Sequence, residues 1–277
     1  MQGLKKLIQD ALDEDIGQGD ITTNATVPPG ATCKARLIAK QPGVLSGIDV
    51  FRMVFDTLDA RVSDWHAMEN GTAFGSGDDL AAFIADTRSV LTGERVALNF
   101  VQHLSGIATA TALFVEQVQD LDTKVCDTRK TTPLLRRLEK LAVLHGGGAN
   151  HRYALFDGVL IKDNHIVASG TVMNAVAKAR NGTHHLMKIG VEVTDLSELD
   201  EAIAAGADAI LLDNMDLETM RKAVERTSGL NVVLEASGNV TLDRVREIAE
   251  TGVHIISVGA LTHSAPAVDI SLEIVNA

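Results

Sequence analysis

From residue 124 onward the chain repeats one pattern. A short apolar run ends on a polar residue. A segment with apolar positions at helical spacing follows, a glycine closes it, and the next run begins. The runs are residues 124–126 ending at Asp127, 159–161 ending at Lys162, 187–191 ending at Glu192, 209–212 ending at Asp213, 232–234 ending at Glu235 and 254–258 ending at Gly259. The intervening segments carry helix signals. Thr132-Pro133 reads as an N-cap with proline in the first turn, closed by Gly146-Gly147-Gly148. Segments 195–205, 216–228 and 241–251 stop at Gly206, Gly229 and Gly252. Strand, helix, strand at this spacing predicts parallel βα units.

Six such units fit either a barrel or an open, doubly wound sheet. The strand ends favour the barrel. Asp127, Lys162, Glu192, Asp213 and Glu235 each follow an apolar run directly. In a barrel such positions converge on one mouth, where active sites form. Any one of them can simply cap the next helix; five in succession point to a site.

The first hundred residues differ. Glycines and prolines separate short β-like runs at 34–38, 43–48, 72–74 and 80–84, with helical patterns at 2–13 and 49–59. Leu4, Leu7, Ile8, Ala11 and Leu12 give the first helix its apolar stripe. This predicts a smaller α+β domain over 1–105, followed by an α/β barrel over 106–265. A helix over about 266–277 is expected to pack on the first domain. A long helical stretch at 90–119 joins the two, with Leu98, Val101, Leu104 and Ile107 at helical spacing.

Composition adds limits. The chain has 277 residues, 45% hydrophobic, enough for one large core or a large and a small one. No unbroken apolar run approaches the ~18–20 residues of a membrane span, and charges interrupt the N-terminal pattern, so neither a span nor a signal peptide is expected. The two cysteines, Cys33 and Cys126, form no disulfide framework or metal motif, and an intracellular, cytoplasmic setting is the default. A net charge of −12 argues against non-specific nucleic-acid binding. Yet from Lys124 to His165 eight Lys and Arg face four Asp and Glu. A basic helix face near Arg136 and Arg137 explains part of this excess. A local well for a small polyanion explains the rest.

The candidate chemistry sits on these strand ends. Thr128, Arg129 and Lys130 follow the first run; Arg offers a planar fork for carboxylate or phosphate, Lys a compact charge. Asn150-His151-Arg152 follows the triple glycine, which lets backbone approach a ligand. Lys162 at a strand end can serve as an anion ligand or as a Schiff-base nucleophile. Glu192 and Asp213 can hold Mg²⁺ through water or accept from sugar hydroxyls. Ser237-Gly238-Asn239 and Gly259-Ala260, with His263 beyond, match the usual barrel phosphate site. The residues alone therefore predict a barrel enzyme for a phosphorylated, anionic substrate.

At these same residues the chain resembles the quinolinate phosphoribosyltransferase family (nicotinate-nucleotide pyrophosphorylase). The shared motifs run from Glu14-Asp15-Ile16-Gly17-Gln18-Gly19-Asp20-Ile21-Thr22-Thr23 through Gly93-Glu94-Arg95, Leu104-Ser105-Gly106 and Asp127-Thr128-Arg129-Lys130-Thr131-Thr132-Pro133. They continue with Asn150-His151-Arg152, Leu160-Ile161-Lys162-Asp163-Asn164-His165 and Leu212-Asp213-Asn214. Glu235-Ala236-Ser237-Gly238 and Val258-Gly259-Ala260-Leu261-Thr262-His263 complete them. The resemblance implies an incomplete six-stranded α/β barrel beside an N-terminal α+β sandwich domain. It implies Mg²⁺, no organic cofactor, and a reaction in which quinolinate and phosphoribosyl pyrophosphate give nicotinate mononucleotide, pyrophosphate and CO₂, in NAD synthesis. It also implies a homodimer, open to higher assembly, with Arg95 reaching the neighbouring copy's site.

By motif, Arg95, Arg129, His151, Arg152 and Lys162 would surround the quinolinate carboxylates, and Lys130 would meet phosphate or pyrophosphate. Glu192 and Asp213 would hold ribose and hydrated Mg²⁺. Ser237, Gly238, Asn239, Gly259 and Ala260 would cradle the 5′-phosphate, with His263 nearby. Three positions depart from the family pattern: Leu134 and Asn239 stand where Gly is usual, and Gly190 where an acid often precedes Val-Glu. Other readings remain: a molybdenum-transport-associated paralogue, which lacks the Lys-Asp-Asn-His stretch kept here at 162–165; a Schiff-base aldolase using Lys162; and a non-catalytic scaffold.

Overall fold

The computed structural model describes residues 2–276. The chain runs through α1 (Gln2–Ile16), α2 (Ile21–Thr26), β1 (Thr32–Ala39), β2 (Gly43–Val44), α3 (Ile48–Thr57), β3 (Ser63–Ala67), β4 (Ala73–Phe74), β5 (Asp79–Asp86) and the 30-residue α4 (Thr87–Glu116). Then come β6 (Lys124–Cys126), α5 (Arg136–His145), β7 (Val159–Ile161), α6 (Asp163–Ser169), α7 (Val172–Gly182) and β8 (Ile189–Val193). The last stretch holds α8 (Leu196–Ala204), β9 (Ala209–Asp213), α9 (Leu217–Thr227), β10 (Val233–Ser237), α10 (Val245–Ala249), β11 (Ile255–Ser257), α11 (Ala260–His263) and β12 (Ile270–Asn276).

Two compact units form. The first holds the chain up to Ala112, Thr132–Gly147 and the chain from Ser264 on; the second holds Leu113–Thr131 and Gly148–His263. The first unit therefore runs past residue 105 to Ala112 and takes in α5, which the expected barrel span of 106–265 included, together with β12.

The first unit is built on an antiparallel sheet ordered β12-β1-β5-β3. Its core is aromatic. Phe51 and Phe55, one turn apart on α3, meet edge to face with ring centroids 5.1 Å apart, and Phe83 of β5 lies 5.4 Å from Phe55. Ile8 and Leu12 of α1 are buried, as their helical spacing requires. The expected C-terminal helix is a strand. β12 pairs antiparallel with β1, Ala39 opposite Ile270 through Cys33 opposite Asn276. The reason is periodicity: Val268, Ile270, Leu272 and Ile274 alternate with Asp269, Ser271 and Glu273, which places apolar side chains on one face of a strand and would scatter them around a helix. The β-like run at 43–48 is also shorter than its pattern, because Gly47 (φ 90) turns the chain into α3.

The α4 helix is long and apolar enough, by length and composition, to cross a membrane. Val101, Leu104, Ile107 and Ala108 on it are buried, and so are Ser105 and Thr111. Its apolar face is thus a core face.

The second unit is a parallel sheet of six strands in the order β6-β11-β10-β9-β8-β7, with β6 and β7 at the edges. Six strands rather than the eight of a full barrel make it the incomplete α/β barrel expected. Two of the expected helical segments open on a capping carboxylate: Asp195 accepts from Ser197 N and Glu198 N at 2.7 and 2.9 Å, and Asp216 from Thr219 N at 2.7 Å.

In the first unit Thr132 is not the cap of α5. Thr132-Pro133-Leu134-Leu135 make a turn closed by Leu135 N donating to Thr132 O at 3.1 Å, with Leu134 at φ +69. A proline followed by positive φ is the type II pattern, whose third position wants glycine. The helix begins only after Leu135. Leu134 is exposed and so gains nothing by packing. The left-handed conformation costs a non-glycine residue about 1–2 kcal/mol, and glycine's looser unfolded chain returns part of that. Leu134→Gly is therefore expected to stabilise the protein by about 0.5–1 kcal/mol in denaturant unfolding. A loss of stability would show that the turn is not strained.

Candidate active site

The strand order brings the polar strand ends together. A cavity of about 850 Å³ opens over the C-terminal ends of the parallel strands. Thr128, Arg129 and Lys130 line it after β6, and His151, Arg152 and Lys162 line it around β7. Glu192 of β8, Asp213 of β9 and Ser237 of β10 add their side chains. Gly238, Asn239, Gly259, Ala260 and His263 complete the predicted set. Of the predicted residues only Arg95 is elsewhere: it is exposed on α4, in the first unit.

Each group is placed by local structure. Ala149 extends the edge of β6, its N–H donating to Val125 O at 2.8 Å while Asp127 N–H donates to Ala149 O at 3.1 Å. That pairing carries His151 to the mouth. There the buried Asp127 accepts from His151 N at 2.8 Å. His151 Nδ1 accepts from Arg152 N–H at 2.7 Å, so the proton of the neutral ring sits on Nε2, which lies 3.4 Å from Glu235 Oε2. The guanidinium of Arg152 donates to Gly158 O at 2.7 Å. Burial, together with the neighbouring Arg129, pushes the Arg152 pKa below its usual value. Two guanidinium groups held this close favour an anion between or beside them.

Lys162 pairs with Glu192 on the neighbouring strand, the lysine about half exposed and the glutamate mostly buried. His165 Nδ1 reaches back to accept from Lys162 N–H at 3.0 Å and fixes the start of α6. On the opposite wall Lys130 is threaded by its backbone. Its N–H donates to Thr128 Oγ1 at 3.0 Å, and its carbonyl accepts from Thr262 Oγ1 at 2.7 Å. An added Cβ at Gly259 would sit 3.0 Å from Lys130 Cδ and 3.3 Å from His263 Nε2, so glycine there lets both side chains close over the loop.

The loop after β10 is tight. Gly238 has φ +94 and Asn239 φ +49, so the asparagine that replaces the usual glycine adopts the left-handed conformation it tolerates best among side-chain residues. Its Nδ2 donates to Asn214 Oδ1 at 2.9 Å, and Asn214 N donates to Ser237 O at 2.9 Å. Asn214, itself at φ +53, thus buttresses the loop. Asn214 and Glu235 line the cavity as well, and Glu235, expected at the end of its strand, lies inside β10, two residues before Ser237. The signal for each was present: an amide beside a strand-end acid, and an acid ending an apolar run.

Among the described residues no group of three or more His, Cys, Asp or Glu could hold a metal by itself. Glu192 and Asp213 offer two carboxylates on adjacent strands. That fits a hard cation carried mainly by water and substrate oxygens, as Mg²⁺ usually is.

The chain is similar to known proteins over nearly its whole length. The family "Quinolinate phosphoribosyl transferase, N-terminal domain" matches residues 20–105, and the corresponding C-terminal domain matches residues 107–273. A probable nicotinate-nucleotide pyrophosphorylase (carboxylating) of Bacillus subtilis is 43% identical over 271 residues, covering 98% of this chain and 93% of the relative. The Mycobacterium leprae nicotinate-nucleotide pyrophosphorylase (carboxylating) is 42% identical, covering 96% and 95%. The crystal structure of NadC from Streptococcus pyogenes superposes with a TM-score of 0.94 at 43% identity, covering 98% of this chain and 96% of that one. Matched by both domains of one family and by full-length relatives above 40% identity, the chain belongs to the quinolinate phosphoribosyl transferase family.

Proposed function

We propose that the protein transfers the phosphoribosyl group of phosphoribosyl pyrophosphate to quinolinate and releases pyrophosphate and CO₂, forming nicotinate mononucleotide for NAD synthesis. One observation carries this reading. Arg129, Lys130, Arg152 and Lys162 converge on a single cavity that also holds the carboxylates of Glu192, Asp213 and Glu235 and a tight glycine loop. Both substrates are polyanions, and a cluster of cations offsets their mutual repulsion.

In this reading Arg129, His151, Arg152 and Lys162 bind the two carboxylates, and Lys130 meets phosphate or pyrophosphate. Ser237, Gly238, Asn239, Gly259 and Ala260 hold the 5′-phosphate, with His263 beside it. Glu192 and Asp213 accept from ribose hydroxyls and would hold hydrated Mg²⁺, which when bound neutralises charge on the departing pyrophosphate. The pyridine nitrogen attacks ribose C1′ while the bond from C1′ to the pyrophosphate oxygen breaks and that oxygen keeps the electron pair. The carboxylates of Glu192 and Asp213 stabilise the cation-like ribose at this stage. The alkylated ring nitrogen is positive. It stabilises the electron pair left on the adjacent carbon as CO₂ departs, and a proton then fills that carbon. No organic cofactor is needed for this sequence.

The protein would act as a homodimer in the cytoplasm, a setting that suits its two buried free thiols. Arg95, exposed on α4, would serve the neighbouring copy's site. The test is a single incubation of purified protein with quinolinate, phosphoribosyl pyrophosphate and Mg²⁺, following nicotinate mononucleotide and pyrophosphate together. Equal release of both is expected. Pyrophosphate without the nucleotide, or neither product from folded protein, would overturn the reading. A Schiff base trapped on Lys162 by borohydride would favour the aldolase alternative instead.

A further inference from the structure

Below the mouth lies a second hollow of about 120 Å³. Residues two apart on a strand face the same side. Leu160 therefore lies under Lys162, Gly190 under Glu192, Leu211 under Asp213 and Glu235 under Ser237. The space exists because two adjacent strands bring small residues to this layer. Gly190 has no side chain, and its register partner Ala209 has a single carbon. A Cβ at 190 would lie tight against Leu160 Cδ1 at 3.2 Å and Val159 O at 3.4 Å and 3.9 Å from Ala209 Cβ, three residues of the hollow's wall, so a side chain there would crowd it. The hollow shares five wall residues with the main cavity: His151, Arg152, Leu160, Leu211 and Glu235.

Two polar atoms on that shared wall are buried and have no hydrogen-bond partner among the described residues: Glu235 Oε1 and Arg152 Nε. Glu235 is only 7% exposed. A buried acceptor and a buried donor each ask for a partner. At neutral pH quinolinate brings acceptors only, in its two carboxylates and its ring nitrogen. It can satisfy Arg152 Nε and leaves Glu235 Oε1 without a donor. A hydroxyl can donate to the glutamate and accept from the arginine.

Resting on the phosphoribosyl-transfer reading above, we infer that this hollow is a specificity subsite for a hydroxyl-bearing substituent on the pyridine ring of the acceptor. The hollow gives the substituent room, Glu235 takes its proton donor, and Gly190 and Ala209 keep the space open. The enzyme thereby accepts pyridine-2,3-dicarboxylates larger than quinolinate.

The experiment uses the full chain with phosphoribosyl pyrophosphate and Mg²⁺. Quinolinate is compared with quinolinates carrying methyl or hydroxymethyl at ring positions 4, 5 and 6. At one position the hydroxymethyl compound is expected to react with kcat/KM about tenfold above its methyl counterpart, because a site built to pair a hydroxyl discriminates against its absence. Gly190→Val, and independently Ala209→Val from the adjacent strand, are expected to lower the hydroxymethyl-to-quinolinate ratio about tenfold. If Gly190→Val does not fold by circular dichroism, Ala209→Val decides. Rejection of all three hydroxymethyl compounds while quinolinate reacts overturns the subsite alone, as does a ratio unchanged by filling. Absence of reaction with quinolinate itself overturns the proposed function, and the subsite with it.

Discussion

Lys162→Ala is expected to lower kcat/KM for nicotinate mononucleotide formation by about 10²–10³ and to leave the protein folded. A single preorganised charge aimed at a reacting group contributes about that much in other enzymes. The lysine is well placed for such a role. It ends β7, the His165 ring fixes the backbone at its N–H, and its side chain pairs with Glu192 across to β8. Because Lys162 is about half exposed, its ion pair contributes only about 0–1 kcal/mol to stability, and the unfolding midpoint should hardly move. The substitution also leaves Glu192 without its cation beside an anionic substrate. The KM for quinolinate should therefore rise as kcat falls. Lys162→Arg is expected to recover part of the KM loss and little of kcat, since the fork is larger and directed differently. Steady-state kinetics with thermal unfolding as control checks all of this. An active Lys162→Ala enzyme would remove the lysine from the site.

Gly238→Ala is expected to act on the other substrate. The new methyl would meet Asn214 Cγ at 2.5 Å, at a residue with φ +94. Overpacking of this kind costs about 1–3 kcal/mol, and the left-handed region adds about 1–2 kcal/mol for a residue with a Cβ. The loop must shift, and Asn214 and Asn239 shift with it, because the Asn239 amide donates to Asn214. The KM for phosphoribosyl pyrophosphate should rise at least about tenfold, which is about 1.4 kcal/mol of lost binding. The KM for quinolinate should change much less. An equal effect on both substrates would mean that the loop does not hold the phosphate.

The parallel half of the fold was legible because each strand announced itself twice. Apolar runs such as Val159-Leu160-Ile161 gave the strand, and a polar residue directly after marked its C-terminal end at β6, β7 and β9, whereas β8 runs on to Val193 and β10 to Ser237. Once the strands are parallel, convergence of Lys162, Glu192, Asp213 and Ser237 on one mouth follows from topology. The helical segments starting at 195 and 216 were also legible, and Asp195 and Asp216 cap them through contacts within their own next three residues. The C-terminal segment was misread as a helix although its alternation was present. That alternation fits a strand, and pairing with β1 gives it its partner. Leu134 carried a visible departure from the family pattern, but its left-handed turn and the delayed start of α5 show only in the backbone.

The sequence by itself therefore determined the element types in the second half, the parallel sheet and most of the residues at its mouth, since periodicity, caps and strand ends are local properties. Tertiary structure decided the rest. The pairing of Ala149 with β6 brings His151 beside Asp127, the register of β8 on β9 sets Gly190 against Ala209, and the loop after β10 folds onto Asn214. Each of these joins residues from different elements, and no local pattern encodes which strand edge or side chain a segment will meet.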